Sequence, residues 1–188
     1  MVQTDVETQA ILTPTGRVIL GMIALGKRTG YDIKQLVDSS TRYFWAASYG
    51  QIYPELRRLE QQGLIRGRSE PTGGRSRMVY ALTAAGEAAL QGWLRSELEP
   101  VWELRDAGML KLFFSDAVDP AQRAETIRAM RARQERKLEQ LLAIEPRAAE
   151  DQHAGPYLTL QLGISVTRAY IDWCEAAERR LAAEGQEQ

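Results

Sequence analysis

What most narrows the folds open to this chain is a junction in its first half, where a helical apolar period ends at a glycine and an alternating, turn-centred pattern begins at once. Ile52, Leu56 and Leu59 recur at i, i+4 and i+7, and Gly63 follows as a stop. Ser48 heads that helix, with Gln51 three residues on in the position of a capping-box partner. Then come LIRGRSE, PTGG and RSRMVYAL. Met78, Tyr80 and Leu82 alternate as the inward side of a strand, and the Pro-Thr-Gly-Gly centre supplies turn chemistry. The spacing predicts a helix feeding directly into a β-hairpin.

Two further helices precede it. Thr13 caps the first and Pro14 opens it; its apolar face runs through Ile19, Met22 and Ile23, and Gly26 ends it. Thr29 opens the second, with Asp32 three residues on and Ile33, Leu36 and Val37 at helical spacing, ending near Ser39 or Ser40. Trp45, in the connection that follows, is expected to pack and set the angle between the second and third helices. Pro54 removes a backbone donor early in the third helix and disfavours helical geometry at Tyr53, so a distorted first turn is expected. Three short helices followed by a hairpin make the winged helix-turn-helix order.

With Ile52, Leu56 and Leu59 inward, helical geometry predicts Gln51, Glu55, Arg58 and Gln62 on the outer face, flanked by Tyr49, Tyr53 and Arg57. Glutamine can pair with adenine, arginine with guanine or phosphate, and tyrosine with phosphate or a thymine methyl. Alone, this helix fits a solvated surface better than a DNA contact. The hairpin tips the balance, because Arg66 and Arg68 on one arm and Arg75 and Arg77 on the other make it basic, with Glu70 the one acid. Formal charge is −1 overall, yet residues 1–82 carry 11 Lys and Arg against 7 Asp and Glu, a balance of +4. Positive charge is concentrated at the front, as a DNA-binding segment requires.

GYDI at 30–33, YFWAASYGQIYPELRRLEQQGLI from 43 and GGRSRMVYALTAAGEAAL from 73 together resemble the PadR family of transcriptional regulators, over roughly residues 12–98. The resemblance implies a dimeric winged-helix repressor on a palindromic operator of double-stranded DNA, with contacts from the third helix and the wing. The DNA-binding set expected on these grounds is Tyr31, Ser48, Tyr49, Gln51, Tyr53, Arg57, Arg58, Arg66, Arg68, Arg75 and Arg77. For members with a long helical rear it implies a C-terminal domain that completes the homodimer. Effectors in the family are typically small aromatic compounds such as phenolic acids, or hydrophobic drugs. Trp93 and Trp102 are the candidate effector contacts, although tryptophans at helical spacing also serve as plain core.

The rear of the sequence reads as helical. Thr83 caps a helix carrying Leu90, Trp93, Leu94 and Leu98, interrupted at Glu99-Pro100. A short apolar helix through Leu104, Leu110 and Phe113 follows, then a long charged helix from Asp119-Pro120 to about Ile144, with IEPRAAEDQHAGP as a loop. The last helix, from Tyr157, has two apolar stripes: Leu160, Ile164, Ile171 and Cys174, and Leu162, Val166, Ala169 and Trp173. A helix apolar on two faces needs two neighbours, expected to be its own domain and a second subunit. The predicted organisation is mainly α with a small β-hairpin wing: a winged helix-turn-helix domain over 1–98 and a helical dimerisation domain over 99–188.

Catalytic chemistry is not supported. The lone Cys174 permits neither an intramolecular disulfide nor a cysteine zinc cluster. The single histidine, His153, sits in the loop beside Glu150 and Asp151, expected exposed and poorly placed for base catalysis. No glycine-rich phosphate loop follows a strand and there is no nucleophile elbow. No enzyme activity, metal or cofactor is expected. Without a stretch of membrane-span length or a signal-peptide opening, a cytoplasmic location with no membrane partner is expected. The alternative is a winged-helix protein-protein adaptor without specific DNA binding.

Overall fold

The computed structural model describes residues 12–41, 45, 47–72, 75–97 and 106–184; at Thr72, Arg75 and Glu184 it fixes the backbone only. Contacts group the chain into two compact units, Met1–Leu98 and Glu99–Gln188. The elements of the first are α1 (Pro14–Ala24), α2 (Gly30–Ser39), α3 (Tyr49–Gln61), β1 (Ile65–Thr72), β2 (Arg75–Leu82) and α4 (Ala84–Arg95). Those of the second are α5 (Ala107–Phe113), a 3-10 turn at Ser115–Ala117, α6 (Pro120–Ala149) and α7 (Ala154–Glu184).

Local capping sets the boundaries of the first unit. Thr13 Oγ1 accepts from the Gly16 amide at 3.0 Å, Thr29 Oγ1 from Asp32 at 3.1 Å and Thr83 Oγ1 from Gly86 at 3.1 Å, each satisfying an amide that the helix leaves unpaired. Gly63 ends α3 at φ +70, a left-handed conformation that side chains disfavour, and the Leu64 amide returns to the Leu59 carbonyl at 2.9 Å. Thr83 Oγ1 also donates to the Gly63 carbonyl at 2.6 Å, tying the start of α4 to the end of α3. Ile19, Leu20, Ile33, Val37, Ile52, Leu56 and Leu59 close one core between the helices, and Ile65 and Tyr80 bring the base of the hairpin into it.

α3 is continuous from Tyr49, so the distortion expected at Pro54 is absent. The carbonyl deprived of a donor belongs to Gly50, in the exposed first turn, where water can serve it. β1 and β2 pair antiparallel, with Glu70 opposite Arg77 and Arg68 opposite Val79. Tyr80 is inward and Leu82 partly so, but Met78 is 46% exposed and Val79 is buried instead. Alternation identifies the two faces of a strand, whereas only the base of this twisted ribbon is covered. Trp45 is exposed and not the packing residue expected, and Trp93 and Leu94 on α4 are exposed where Leu90 is buried.

In the second unit α6 continues past the expected end at Ile144, through Pro146 to Ala149. Pro146 forfeits only the bond to the carbonyl of Leu142, an exposed residue. α7 starts at Ala154, with Pro156 in its first turn where no amide bond is lost. The two helices run antiparallel: Ile127 and Met130 pack with Cys174, and Leu141 lies against Gly163 near the connection. Arg131 Nε bonds Glu178 Oε1 at 2.9 Å across the pair. The two stripes of α7 separate cleanly. Ile164 and Cys174 are buried, while Leu162 and Val166 are 64% and 55% exposed, in line with exposed Leu158, Ala169 and Trp173. Leu98, Glu99-Pro100, Trp102 and Leu104 lie outside the described residues.

Candidate nucleic-acid interface

The exposed side of α3 is organised by aromatic packing with α2. Gly30, the first residue of α2, lets the Tyr53 ring approach: a Cβ there would stand 2.8 Å from Tyr53 Cε1. Tyr53 stacks on Tyr49 with centroids 6.1 Å apart, and Lys34 Nζ of α2 sits 5.3 Å from the Tyr49 ring centre. Tyr31, also exposed on α2, accepts from Gln35 Nε2 at 2.8 Å through its hydroxyl. Arg57 is exposed one turn along α3 from Tyr53. Tyr49, Tyr53 and Lys34 thus form one connected cluster, seated on buried Gly30. Lys34 was not among the expected residues, since its approach to Tyr49 joins two helices and leaves no periodic trace.

Gln51 and Ser48 are exposed, but Gln51 Oε1 accepts from the Ser48 amide at 2.9 Å and from Ser48 Oγ at 3.2 Å. The capping box occupies the oxygen that bidentate pairing with adenine requires.

Glu55 and Arg58 depart from the expected outer face. Glu55 is 9% exposed; Arg58 donates to its carboxylate from Nε at 2.9 Å and Nη2 at 2.7 Å, and Thr13 Oγ1 donates to it at 2.5 Å. The N-cap residue of α1 therefore holds α3 through a carboxylate. Burial pushes the Glu55 carboxyl up, but the hydrogen bonds from Arg58 and Thr13 and the Arg58 charge outweigh it, so the group stands below its ordinary value of 4.5. Its stabilising contribution is complete above that ordinary value and is lost as pH falls through the lower folded one. Glu55→Gln is expected to lower stability by about 1–3 kcal/mol and to flatten its decline in acid, measured by urea unfolding across a pH series.

On the wing, Arg66, Arg68, Glu70 and Arg77 share one face by register and spacing. Arg68 Nη2 donates to Glu70 Oε1 at 2.5 Å, Arg77 Nη2 lies 3.8 Å from Oε2, and Arg28 Nη2 lies 3.9 Å from Oε1. The Arg68 hydrogen bond, with the charges of Arg68, Arg28 and Arg77, holds the Glu70 carboxyl below its ordinary range. Arg28 joins because the Tyr80 amide donates to its carbonyl at 2.7 Å, bringing the α1–α2 connection against β2. Arg75 pairs with Thr72 in the ladder. Glu60 Oε1, on α3, accepts from the Gly67 amide at 2.9 Å, so the helix also grips the wing. Neither Arg28 nor Glu60 carries a signal in its own segment.

Of the candidate effector contacts, Trp93 has the Arg17 guanidinium 5.5 Å from its ring centre, and Trp102 is outside the described residues. His153 is half-buried, with Nδ1 2.6 Å from Asp151 Oδ1. Among the described residues no cluster of histidine, cysteine and acidic side chains could hold a metal, and no helix is long and apolar enough to cross a membrane.

Comparison with known proteins agrees with this architecture over both units. Residues 19–92 match the Transcriptional regulator PadR-like family, and residues 104–182 match the family described as Virulence activator alpha C-term. The negative transcriptional regulator PadR of Bacillus subtilis is 30% identical over 84% of this chain and 92% of its own length. Among solved structures, Bacillus subtilis PadR in complex with operator DNA is 26% identical with a TM-score of 0.81, over 88% of this chain and 96% of that one. Bacillus subtilis PadR in complex with p-coumaric acid is 25% identical with a TM-score of 0.73, over 90% and 98%. By family pattern, length of match and fold, this chain belongs to the PadR family of transcriptional regulators.

Proposed function

We propose that the protein is a cytoplasmic repressor that binds a palindromic operator as a homodimer and releases it when a small aromatic acid binds. The observation that carries the reading is the exposed surface of Tyr31, Tyr49, Tyr53 and Arg57, with the largely covered, Asp38-paired Lys34 beside it, on a winged helix whose hairpin presents Arg66, Arg68 and Arg77. Tyrosine and arginine on α3 suit base edges and phosphates in a major groove, and the wing arginines suit the flanking backbone. Similarity to a PadR seen with operator DNA supports the same orientation of roles. The open stripe of α7 supports the homodimer, which would present two recognition helices to half-sites about 34 Å apart. Binding measured by fluorescence anisotropy over a salt series tests the reading: affinity for genomic operator fragments falls steeply with salt, and a protein-protein adaptor has no such dependence.

Repression follows the negative regulator among the relatives. The match of residues 104–182 to a virulence-activator family favours activation as the second reading. A promoter reporter with and without the protein decides the sign.

The effector reading draws on the relative solved with p-coumaric acid and on Trp93, whose indole lies beside the Arg17 cation, the aromatic and charged groups that a phenolic acid needs. p-Coumaric acid is expected to quench tryptophan fluorescence and to weaken operator binding by about 5–150-fold, with DNA weakening the acid reciprocally. Trp93→Phe and Trp102→Phe are tested separately. Ligand affinity unchanged in both returns the two tryptophans to structural roles.

A further inference from the structure

We propose that Glu70 is a built-in competitor of DNA at the wing: in the free protein its carboxylate holds Arg68, and draws in Arg77 and Arg28, in the position that a backbone phosphate takes in the complex. The proposal rests on the reading that the wing grips phosphate. A carboxylate offers a guanidinium fork the same paired anionic oxygens that a phosphate does. Glu70 is the one acid of the hairpin, and it stands where three arginines converge, at 2.5, 3.8 and 3.9 Å. Register places two of them there, Arg77 directly opposite Glu70 and Arg68 its neighbour on the same face, and the hydrogen bond from the Tyr80 amide to the Arg28 carbonyl brings the third.

The cluster is not a structural lock. Side chains of Arg68, Arg77 and Arg28 are 72%, 56% and 55% exposed, and exposed ion pairs contribute little to stability. What the carboxylate changes is the charge that DNA meets. An arginine leaving Glu70 for a phosphate uncovers a negative charge beside the duplex, so net neutralisation is smaller than the number of arginines implies. Because this opposition is the same for every sequence, Glu70 weakens specific and non-specific binding alike and leaves preference to α3.

The test uses the full chain and a mixed-sequence DNA duplex, with affinity followed over a salt series. Glu70→Gln keeps the side-chain size and removes the charge. It is expected to bind about three- to tenfold more tightly at low salt, with a salt slope steeper by about one. In Arg68→Ala background most of that gain is expected to disappear. Glu70→Ala serves as a second variant, and coincident melting curves verify that neither alters the fold. Unchanged or weaker binding by both variants overturns the proposal, weaker binding meaning that Glu70 positions Arg68 for DNA. Arg68→Ala and Arg77→Ala separate the two levels. If both bind like the parent protein, the phosphate-gripping reading of the wing fails; if both weaken binding while Glu70→Gln gives no gain, only the competitor fails.

Discussion

Leu162→Arg combined with Val166→Arg on α7 is expected to make the protein monomeric at micromolar concentration and to reduce its affinity for a two-half-site duplex by at least about 100-fold. Both side chains point away from α6 and stand exposed in a stripe with Leu158, Ala169 and Trp173, while Ile164 and Cys174 serve the α6–α7 core. In an isologous interface each residue is counted twice. Burial of the area that two aliphatic side chains per subunit still expose then supplies roughly 4–7 kcal/mol, a large share of the about 8 kcal/mol of a micromolar dimer. Arginine in that position removes the contact and adds a charge that must be desolvated. Light scattering gives the mass, and an unchanged helical circular dichroism signal verifies that the subunit still folds. A dimer that survives both substitutions places the subunit interface elsewhere.

Arg57→Ala is expected to weaken operator binding by about 1–3 kcal/mol more than it weakens binding to a scrambled duplex. Arg77→Ala is expected to weaken both duplexes alike and to lower the salt slope by about one. The contrast follows from exposure on α3 in one case and on the wing in the other. Gln51 needs a different test, because Gln51→Ala also removes a cap worth about 0.5–2 kcal/mol. Gln51→Glu retains an oxygen for the Ser48 amide and lacks the amide donor that a base could use. It is expected to preserve melting temperature while relaxing operator preference. Equal, sequence-independent losses from Arg57→Ala and Arg77→Ala would reverse the assignment of roles, and no loss from either would favour the adaptor.

Much of the front of the molecule was legible because its information is local. Thr13, Thr29, Ser48 and Thr83 start helices where a hydroxyl precedes an apolar period, and Gly26 and Gly63 end them at positive φ. The hairpin followed from alternation around a turn, and the two stripes of α7 from spacing alone. The errors lay where a local rule met a non-local environment. Pro54 reads as a distortion of the first turn and the segment of Pro146 as a loop, yet each proline removes a single backbone bond at an exposed stretch, too small a loss to disturb helices held by packing. Alternation puts Met78 on the inward side, but no core element covers it.

The sequence by itself determined the order of elements, the faces that share a side and the concentration of arginine on the wing. Only the tertiary structure decided what each face meets. Glu55 and Arg58 follow the outer period of α3, yet Thr13, 42 residues earlier, draws the carboxylate inward and the arginine with it. Lys34 reaches Tyr49 from another helix, and Arg28 reaches Glu70 from a connection held against β2. Helical and strand periods record direction relative to one backbone axis. Hydrogen bonds and charge pairs between distant segments depend on how those axes pack, and that is set by the whole core.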